Sequence, residues 1–115
     1  MNSKKYRKIQ RYKNYFDDFF DKQTVKVQQK IIWTLELIED IEHVPEIYLK
    51  RLSGTSGLYE LRVKLTSNIY RIFCFFYKGD LVVLMNGFQK KSRKTPKREI
   101  TKAIKIKKEY EKEKD

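Results

Sequence analysis

Three strand-like segments in close succession constrain the fold of this chain most strongly. Residues 58–65 read LYELRVKL, in which apolar and charged side chains alternate, and this is the period of a strand with one buried face. IYRIFCFFY and LVVLMNGF follow, and both are apolar almost throughout. The turn residues of TSN and YKGDL separate the three segments. Short turns join antiparallel neighbours, so we predict a mostly antiparallel sheet whose third segment is covered on both faces.

Two helix patterns precede these strands. In RYKNYFDDFFDK the aromatic side chains recur at the spacing of one helix face, and they are Tyr12, Tyr15, Phe16, Phe19 and Phe20. Residues 24–44 predict a longer helix, with Thr24 at the N-cap and Pro45 as the stop. We expect the two helices to form a hairpin that packs on the sheet.

A third helix pattern follows the strands. Thr95 is predicted to occupy the N-cap and Pro96 the first helical position. The distal end, KKEYEKEKD, is polar all round, so we expect Tyr110 to be exposed and residues 111–115 to fray.

These elements predict an α+β fold in a single domain over residues 1–115, a length that suits one domain. The helices would cover one face of the sheet. The sheet would contain three strands, or four if YRKIQ adds a short strand near the N-terminus.

Positive charge is concentrated at the two ends of the chain. The formal net charge is +12, from 27 basic and 15 acidic residues. Residues 1–13 carry six basic and no acidic side chains, residues 14–87 carry nine basic and ten acidic, and residues 88–115 carry twelve basic and five acidic. Residues 90–98, here named the basic segment, hold six Lys or Arg in nine positions. Such clustering indicates a polyanionic partner, most often nucleic acid, and a solvated lysine-rich tail is the alternative.

Other features limit the compartment and the chemistry. The single cysteine, Cys74, cannot form an internal disulfide framework and reads as a core residue of the second strand, so a reducing compartment is expected. The N-terminus lacks a signal-peptide pattern, and no apolar run approaches the roughly 20 residues that span a bilayer. A cytoplasmic protein without a membrane partner is therefore expected. With no nucleotide-binding loop and no carboxylate pair at ligand spacing, we expect neither a metal nor a small-molecule cofactor.

Charged side chains within the strands mark a candidate site. Glu60, Arg62 and Lys64 alternate with the apolar residues of the first strand, so they should face away from the core. Arg71 interrupts the apolar second strand, and its guanidinium must reach water, a carboxylate or a ligand. Arg62 and Arg71 share a face if the connecting loop has two or four residues, and they are split if it has three. The sequence leaves that choice open, and it also leaves open a structural ion pair with Glu60.

A sheet face with two Arg and several Lys suits phosphodiester chemistry. A guanidinium grips phosphate through two parallel hydrogen bonds, and lysine supplies a point charge. Lys90 and Lys91 end the third strand, so they are expected at the rim of the same face. Crowding of like charges favours the neutral form of a lysine, which would let one lysine act as a base.

The motifs of this region, taken together, resemble those of a known family. They are GLYELR at 57–62, YRI at 70–72, GF-x-KK at 87–91, TP at 95–96 and EI-x-x-A at 99–103. In this order and spacing they resemble the HigB branch of the RelE/ParE toxin superfamily, including its phage-derived relatives, over residues 12–110. The resemblance implies a RelE-like fold in which the basic segment lies at the rim of the active site and holds RNA phosphates.

The same resemblance implies a function. The chain would be the toxin of a type II toxin–antitoxin system, a ribosome-dependent mRNA endoribonuclease (mRNA interferase) that cuts mRNA in the ribosomal A site and inhibits translation. The reaction would be metal-independent attack of a ribose 2′-OH on the adjacent phosphate. The partners implied are the ribosome, mRNA and a helix-turn-helix antitoxin of the HigA type.

The resemblance also assigns residues to roles. The catalytic residues would be Arg62, Arg71, Lys90 and Lys91. Among them, Arg71 and Lys91 would stabilise transition-state charge, and Arg62 would position the phosphate or transfer a proton. The RNA-binding residues would be Lys64, Arg93, Lys94 and Arg98. Some relatives add a Tyr or His near the C-terminus as general acid or base, and no clear equivalent is visible here.

Two other functions stay open. A ParE-like gyrase inhibitor on the same fold needs no RNA-cleaving residues, and GFQKK with two strand arginines argues mildly against it. The other is a non-catalytic module on the same fold that binds RNA or only its antitoxin.

Overall fold

The computed structural model describes residues 4–115, which form three helices and five strands. In chain order they are β1 (Lys8–Arg11), α1 (Tyr15–Asp21), α2 (Val25–Asp40), β2 (Leu49–Arg51), β3 (Tyr59–Leu65), β4 (Asn68–Tyr77), β5 (Leu81–Lys90) and α3 (Lys97–Lys114). The predicted α+β class is confirmed, and residues 1–3 of the predicted domain lie outside the described residues. None of the described helices is long and apolar enough to cross a membrane.

The strands form one mixed sheet in the order β1-β5-β4-β3-β2. The pairs β5–β4, β4–β3 and β3–β2 are antiparallel, whereas β1 runs parallel to β5. The prediction of a mostly antiparallel sheet is confirmed, and the prediction of three to four strands is wrong because β2 was missed. With only the three residues LKR, β2 is too short to show a period. Only its pairing with β3 reveals it as a strand.

Helices cover both faces of the sheet, which corrects the prediction that they cover one. Successive residues of a strand point to opposite sides. Leu61 and its neighbours on one side pack against Phe16 of α1 and Ile31 of α2. Phe73 and its neighbours on the other side pack against Ile106 of α3. Because β4 and β5 are apolar on both sides, each face needs a helix to remove it from water.

The helix α1 begins later than the aromatic spacing predicts. Tyr12 precedes the helix and packs on the sheet face that α3 covers, whereas Phe16 packs on the face that α1 and α2 cover. Lys13, between them, has a φ of 50°, so the chain turns there. Phe19 then lies against β5 at Gly87, where a Cβ atom would stand 2.7 Å from Phe19 Cδ2. The absence of a side chain at residue 87 therefore permits this close approach of α1 to the sheet.

The predicted start of α2 is confirmed, and its predicted end is too late. The Thr24 hydroxyl accepts a hydrogen bond from the backbone N–H of Val27 at 3.3 Å, which satisfies one free amide of the first turn. The helix ends at Asp40, before Pro45. Arg7 donates to backbone carbonyls at the end of the helix, at Ile38 in its last turn and at Ile41 and Glu42 beyond it.

The helix α3 differs from its prediction at both ends. Its N-cap is Pro96, whose side chain has no polar atom to cap the helix. The hydroxyl of Thr95, the predicted N-cap, donates to Glu60 Oε2 at 3.3 Å. The predicted exposure of Tyr110 is wrong, since its side chain is buried with 1% exposure. Its hydroxyl donates to Gln10 Oε1 at 2.8 Å. Because the residues around Tyr110 are polar, the sequence pattern did not indicate that this one aromatic side chain attaches the helix to the sheet.

Candidate functional site

Arg62 of β3 and Arg71 of β4 lie directly opposite each other in the antiparallel ladder. Leu65 pairs with Asn68, so the loop that joins the strands has two residues. The sequence left this loop length open, and two residues place both arginines on one face. Since Arg71 is separated from Phe73 by two positions, this is the face that α3 covers. We name Arg62 and Arg71 the arginine pair.

A buried carboxylate joins the two members of the arginine pair. Glu60 Oε1 lies 3.1 Å from Arg62 Nε and 3.1 Å from Arg71 Nε. The side chain of Glu60 is 3% exposed, against 26% for Arg62 and 11% for Arg71. The sequence placed Glu60 on the correct face but wrongly outside the core. Two guanidinium groups and the Thr95 hydroxyl offset the cost of burying its charge.

These ion pairs involve the Nε atoms, and the outer nitrogens of the guanidinium groups, Nη1 and Nη2, take no part in them. Arg62 Nη1 lies 3.4 Å from the carbonyl oxygen of Glu46. Within residues 4–115, no hydrogen bond engages either Nη atom of Arg71, and its buried Nε–H is not aligned with an acceptor although Glu60 is close. Burial lowers the pKa of Arg71 from the ordinary arginine value, Glu60 opposes this shift and Arg62 adds to it. Arg71 therefore offers fixed donors to an anion.

The arginine pair lines an open groove of about 190 Å³, here named the arginine groove. Its lining residues are Ile47, Arg62, Val63, Lys64, Ile69 and Arg71. Each charged residue among them is a cation, so the local field favours an anionic ligand. Guanidinium groups with free outer nitrogens suit a phosphate in particular.

The basic segment continues from the rim of this groove. Lys90 is paired across the ladder with Ile69, which lines the groove, so it lies on the same face as the arginine pair. Within the described residues, several cations of the site have no ion pair, namely Lys64, Lys90, Lys91, Arg93 and Lys94. Arg98 lies in the first turn of α3, and its Nε atom is 4.0 Å from Glu99 Oε2. The structure thus brings Lys64 and Lys90 to the arginine pair and places the other predicted cations on the exposed segment beyond it.

Thr95 holds the basic segment against the arginine pair, and neither it nor Glu60 was predicted as a site residue. The Thr95 hydroxyl and the guanidinium groups of Arg62 and Arg71 all contact the Glu60 carboxylate. The helix-start pattern of Thr95 and Pro96 concealed this contact. The signal that was present is the position of Glu60 two residues before Arg62, which puts both on one face of a strand.

Other reactive side chains do not contribute to the groove. Burial raises the pKa of Cys74 to about 12, so its thiol stays protonated at neutral pH and is not a nucleophile. The prediction that Cys74 is a core residue is confirmed. Tyr110 is buried and bonded to Gln10. Within the described part of the chain, no group of three or more His, Cys, Asp or Glu residues is placed to hold a metal ion.

The fold and the groove define a small basic α+β protein with a cationic groove on one face of a five-strand sheet. A family model described as phage-derived protein Gp49-like (DUF891) matches residues 18–108. The chain belongs to this family, which is associated with the toxins of toxin–antitoxin systems. No curated protein matches the chain. The matched residues include the arginine groove and the whole basic segment, and the resemblance to phage-derived toxins is confirmed at this level.

Proposed function

We propose that this protein is the toxin of a type II toxin–antitoxin system and acts as a ribosome-dependent mRNA endoribonuclease of the HigB branch. The observation that carries the proposal is the direct pairing of Arg62 and Arg71 on one sheet face, beside a basic segment rich in unpaired cations. Family membership supports the toxin part of the proposal. The groove supports the phosphodiester part, because its charged lining is wholly cationic.

In the proposed reaction, a ribose 2′-oxygen attacks the adjacent phosphorus and the bond from phosphorus to the 5′-oxygen breaks. The 2′-hydroxyl loses a proton, the 5′-oxygen gains one, and the products end in a 2′,3′-cyclic phosphate and a 5′-hydroxyl. Extra negative charge gathers on the phosphoryl oxygens in the transition state. Donors that are fixed before the reaction stabilise this charge without reorganisation.

We assign roles to the four proposed catalytic residues, and the contacts of Arg62 and Arg71 support the first two. Arg71 would donate its Nη–H groups to the phosphoryl oxygens, and Arg62 would position the phosphate. Glu60 would hold both guanidinium groups through their Nε atoms, at 3.1 Å each. Lys91 would add positive charge at the transition state. Because guanidinium groups stay protonated in proteins, Lys90 or Lys91 would carry the proton to or from the reacting oxygens.

The remaining cations and the partner complete the proposal. Lys64, Arg93, Lys94 and Arg98 would bind the backbone of mRNA or ribosomal RNA. A helix-turn-helix antitoxin of the HigA type would neutralise the toxin through an acidic or amphipathic segment on the basic face or the α1–α2 face. Such an antitoxin need not touch the catalytic residues, since blocking entry to the ribosome is sufficient.

A non-catalytic module that binds RNA or only its antitoxin is the second candidate. One observation favours it, namely that Glu60 engages the Nε atoms of both arginines, as in a structural ion-pair network. The two candidates differ in whether the free Nη atoms of Arg71 ever contact a reacting phosphate.

Expression in cells with genome-wide mapping of transcript ends separates these functions. The nuclease predicts growth arrest and new ends within translated codons, and the cuts disappear from a message whose start codon has been removed. Growth without new ends supports the binding module, and DNA damage without cuts supports gyrase inhibition. Co-expression of the neighbouring gene should restore growth and yield a co-purifying complex.

A further inference from the structure

A second depression adjoins the arginine groove, and the proposed reaction gives no role to its apolar and aromatic lining. Its volume is about 310 Å³, and its lining residues are Lys30, Ile47, Tyr48, Arg62 and Lys64. Ile47, Arg62 and Lys64 also line the arginine groove, so the two depressions lie side by side. We name the second one the aromatic depression.

The aromatic depression combines aromatic, apolar and cationic side chains. Tyr48 supplies a ring, and Trp33 of α2 packs edge-on against it with ring centroids 5.6 Å apart. Ile47 is 68% exposed and Trp33 is 43% exposed. Lys30 Nζ lies 4.2 Å from the centroid of the Trp33 ring. Each charged residue that lines the depression is a cation.

We propose that the aromatic depression binds a nucleobase of single-stranded RNA, next to the phosphate that the arginine groove holds. The base would stack on Tyr48 and contact Ile47, and Lys30 and Lys64 would contact flanking phosphates. This inference rests on the proposed function, because it extends the same RNA strand from one depression into the next. The stacking is tolerant of sequence, since every base has a π-face, so the depression adds affinity rather than codon choice.

Nucleic acid suits this surface better than an acidic protein segment does. RNA alternates planar rings with phosphates at each nucleotide, which matches an aromatic wall beside cations. An acidic peptide would satisfy the lysines but would offer no planar ring at regular spacing to Tyr48, Trp33 and Ile47. The acidic peptide is therefore the rival that the experiment has to exclude.

The test uses the single tryptophan of the chain, Trp33, as a reporter. The first probe is a 2′-O-methyl RNA of about eight nucleotides, which has no free 2′-hydroxyl and cannot be cleaved by the proposed reaction. The second is an abasic oligomer of equal length, and the third is a poly-glutamate peptide of equal charge. We expect the RNA to bind most tightly and to quench Trp33 fluorescence, and the other two to bind more weakly without quenching. Equal affinity and equal quenching with the peptide would overturn the proposal.

Variants locate the contact. Tyr48→Leu should weaken binding of the RNA about tenfold, whereas Tyr48→Phe should retain it, because the ring and not the hydroxyl makes the contact. Ile47→Ala should weaken binding less. Val25→Ala is the matched control, since Val25 is 67% exposed and lies outside the depression, and it should leave binding unchanged. If a thermal melt shows that Tyr48→Leu disturbs the fold, the test rests on the affinity of Ile47→Ala and on the quenching of Trp33 fluorescence. Unchanged affinity in a folded Tyr48→Leu variant, or in Ile47→Ala, would refute the subsite.

Failure of this subsite and failure of the nuclease give different results. RNA binding with quenching, but without cuts in cells, keeps the subsite and refutes the nuclease. Cuts in cells without quenching, and with full activity of Tyr48→Leu, refute the subsite and keep the nuclease.

Discussion

The arginine pair and the basic segment are both cationic, yet they lie in opposite environments. Arg62 and Arg71 are largely covered, and the buried Glu60 carboxylate holds them both. Lys91, Arg93 and Lys94 are exposed. A covered cation needs a counter-charge at a fixed place, and this fixes its geometry, whereas exposed cations move and are screened by salt. The comparison indicates that the arginine pair can supply fixed geometry for a reaction, and that the exposed cations beyond Lys91, such as Arg93 and Lys94, can supply only attraction.

The largest expected effect concerns the electrostatic attraction between the basic ends of the chain and RNA. With six or more phosphate contacts, binding to ribosomes or bare RNA should fall about 10³-fold between 50 and 200 mM salt. Titration at several salt concentrations measures this slope. Cleavage at saturating ribosomes should change much less over the same range, because the arginine pair is partly shielded. An affinity that hardly changes with salt concentration would show that the basic ends only keep the protein soluble.

The second prediction tests the geometry. Arg71→Ala should lower cleavage of mRNA on the ribosome by roughly 10²–10³-fold, or about 3–4 kcal/mol, as expected for a lost donor to transition-state charge. Ribosome binding should change little, because scattered cations supply most of it. Single-turnover cleavage and ribosome pelleting measure the two quantities separately.

Lys94→Ala is the matched control for Arg71→Ala. It should weaken binding and reduce the salt slope by about one contact, with near-normal cleavage at saturation. Thermal melting of both variants is needed, because Arg71 also stabilises the buried Glu60. An Arg71→Ala protein that melts like the wild type and cuts at the full rate would remove Arg71 from the active site.

The third prediction concerns the carboxylate between the two arginines. Glu60→Gln removes a negative charge that two covered cations share, and breaking a buried ion pair in this way costs about 3 kcal/mol of unfolding free energy. Urea denaturation measures the loss. Glu46→Gln, at an exposed position nearby, should be nearly neutral. If Glu60→Gln keeps full stability, the ion pairs do not fix the arginine pair and the contrast with the basic segment disappears.

The smallest expected effect links the two regions. Thr95→Val removes the hydroxyl that donates to Glu60 Oε2, and it should cost about 1 kcal/mol of unfolding free energy. Cleavage should fall a few fold because the basic segment loses its anchor at the arginine pair. Thr101→Val, at an exposed position of α3, serves as the control. Equal behaviour of the two variants would mean that the basic segment is held in place by the backbone alone.

The sequence by itself determined the class of the fold and the strands that carry the candidate site. The alternation of residues 58–65 and the two apolar segments after it predicted β3, β4 and β5, which the structure contains at nearly the same bounds. Thr24 was correctly predicted as the N-cap of α2. These features depend on neighbours within a few residues, so local periodicity and capping chemistry are enough to find them.

Only the tertiary structure decided the features that join distant parts of the chain. The three-residue strand β2, the covering of the second sheet face by α3, and the burial of Tyr110 all depend on such contacts. The same holds for Glu60, whose burial requires Arg62, Arg71 and Thr95 to converge on it from β3, β4 and the segment before α3. Local pattern gives the direction of a side chain, but its burial and its partners depend on what the rest of the chain places above it.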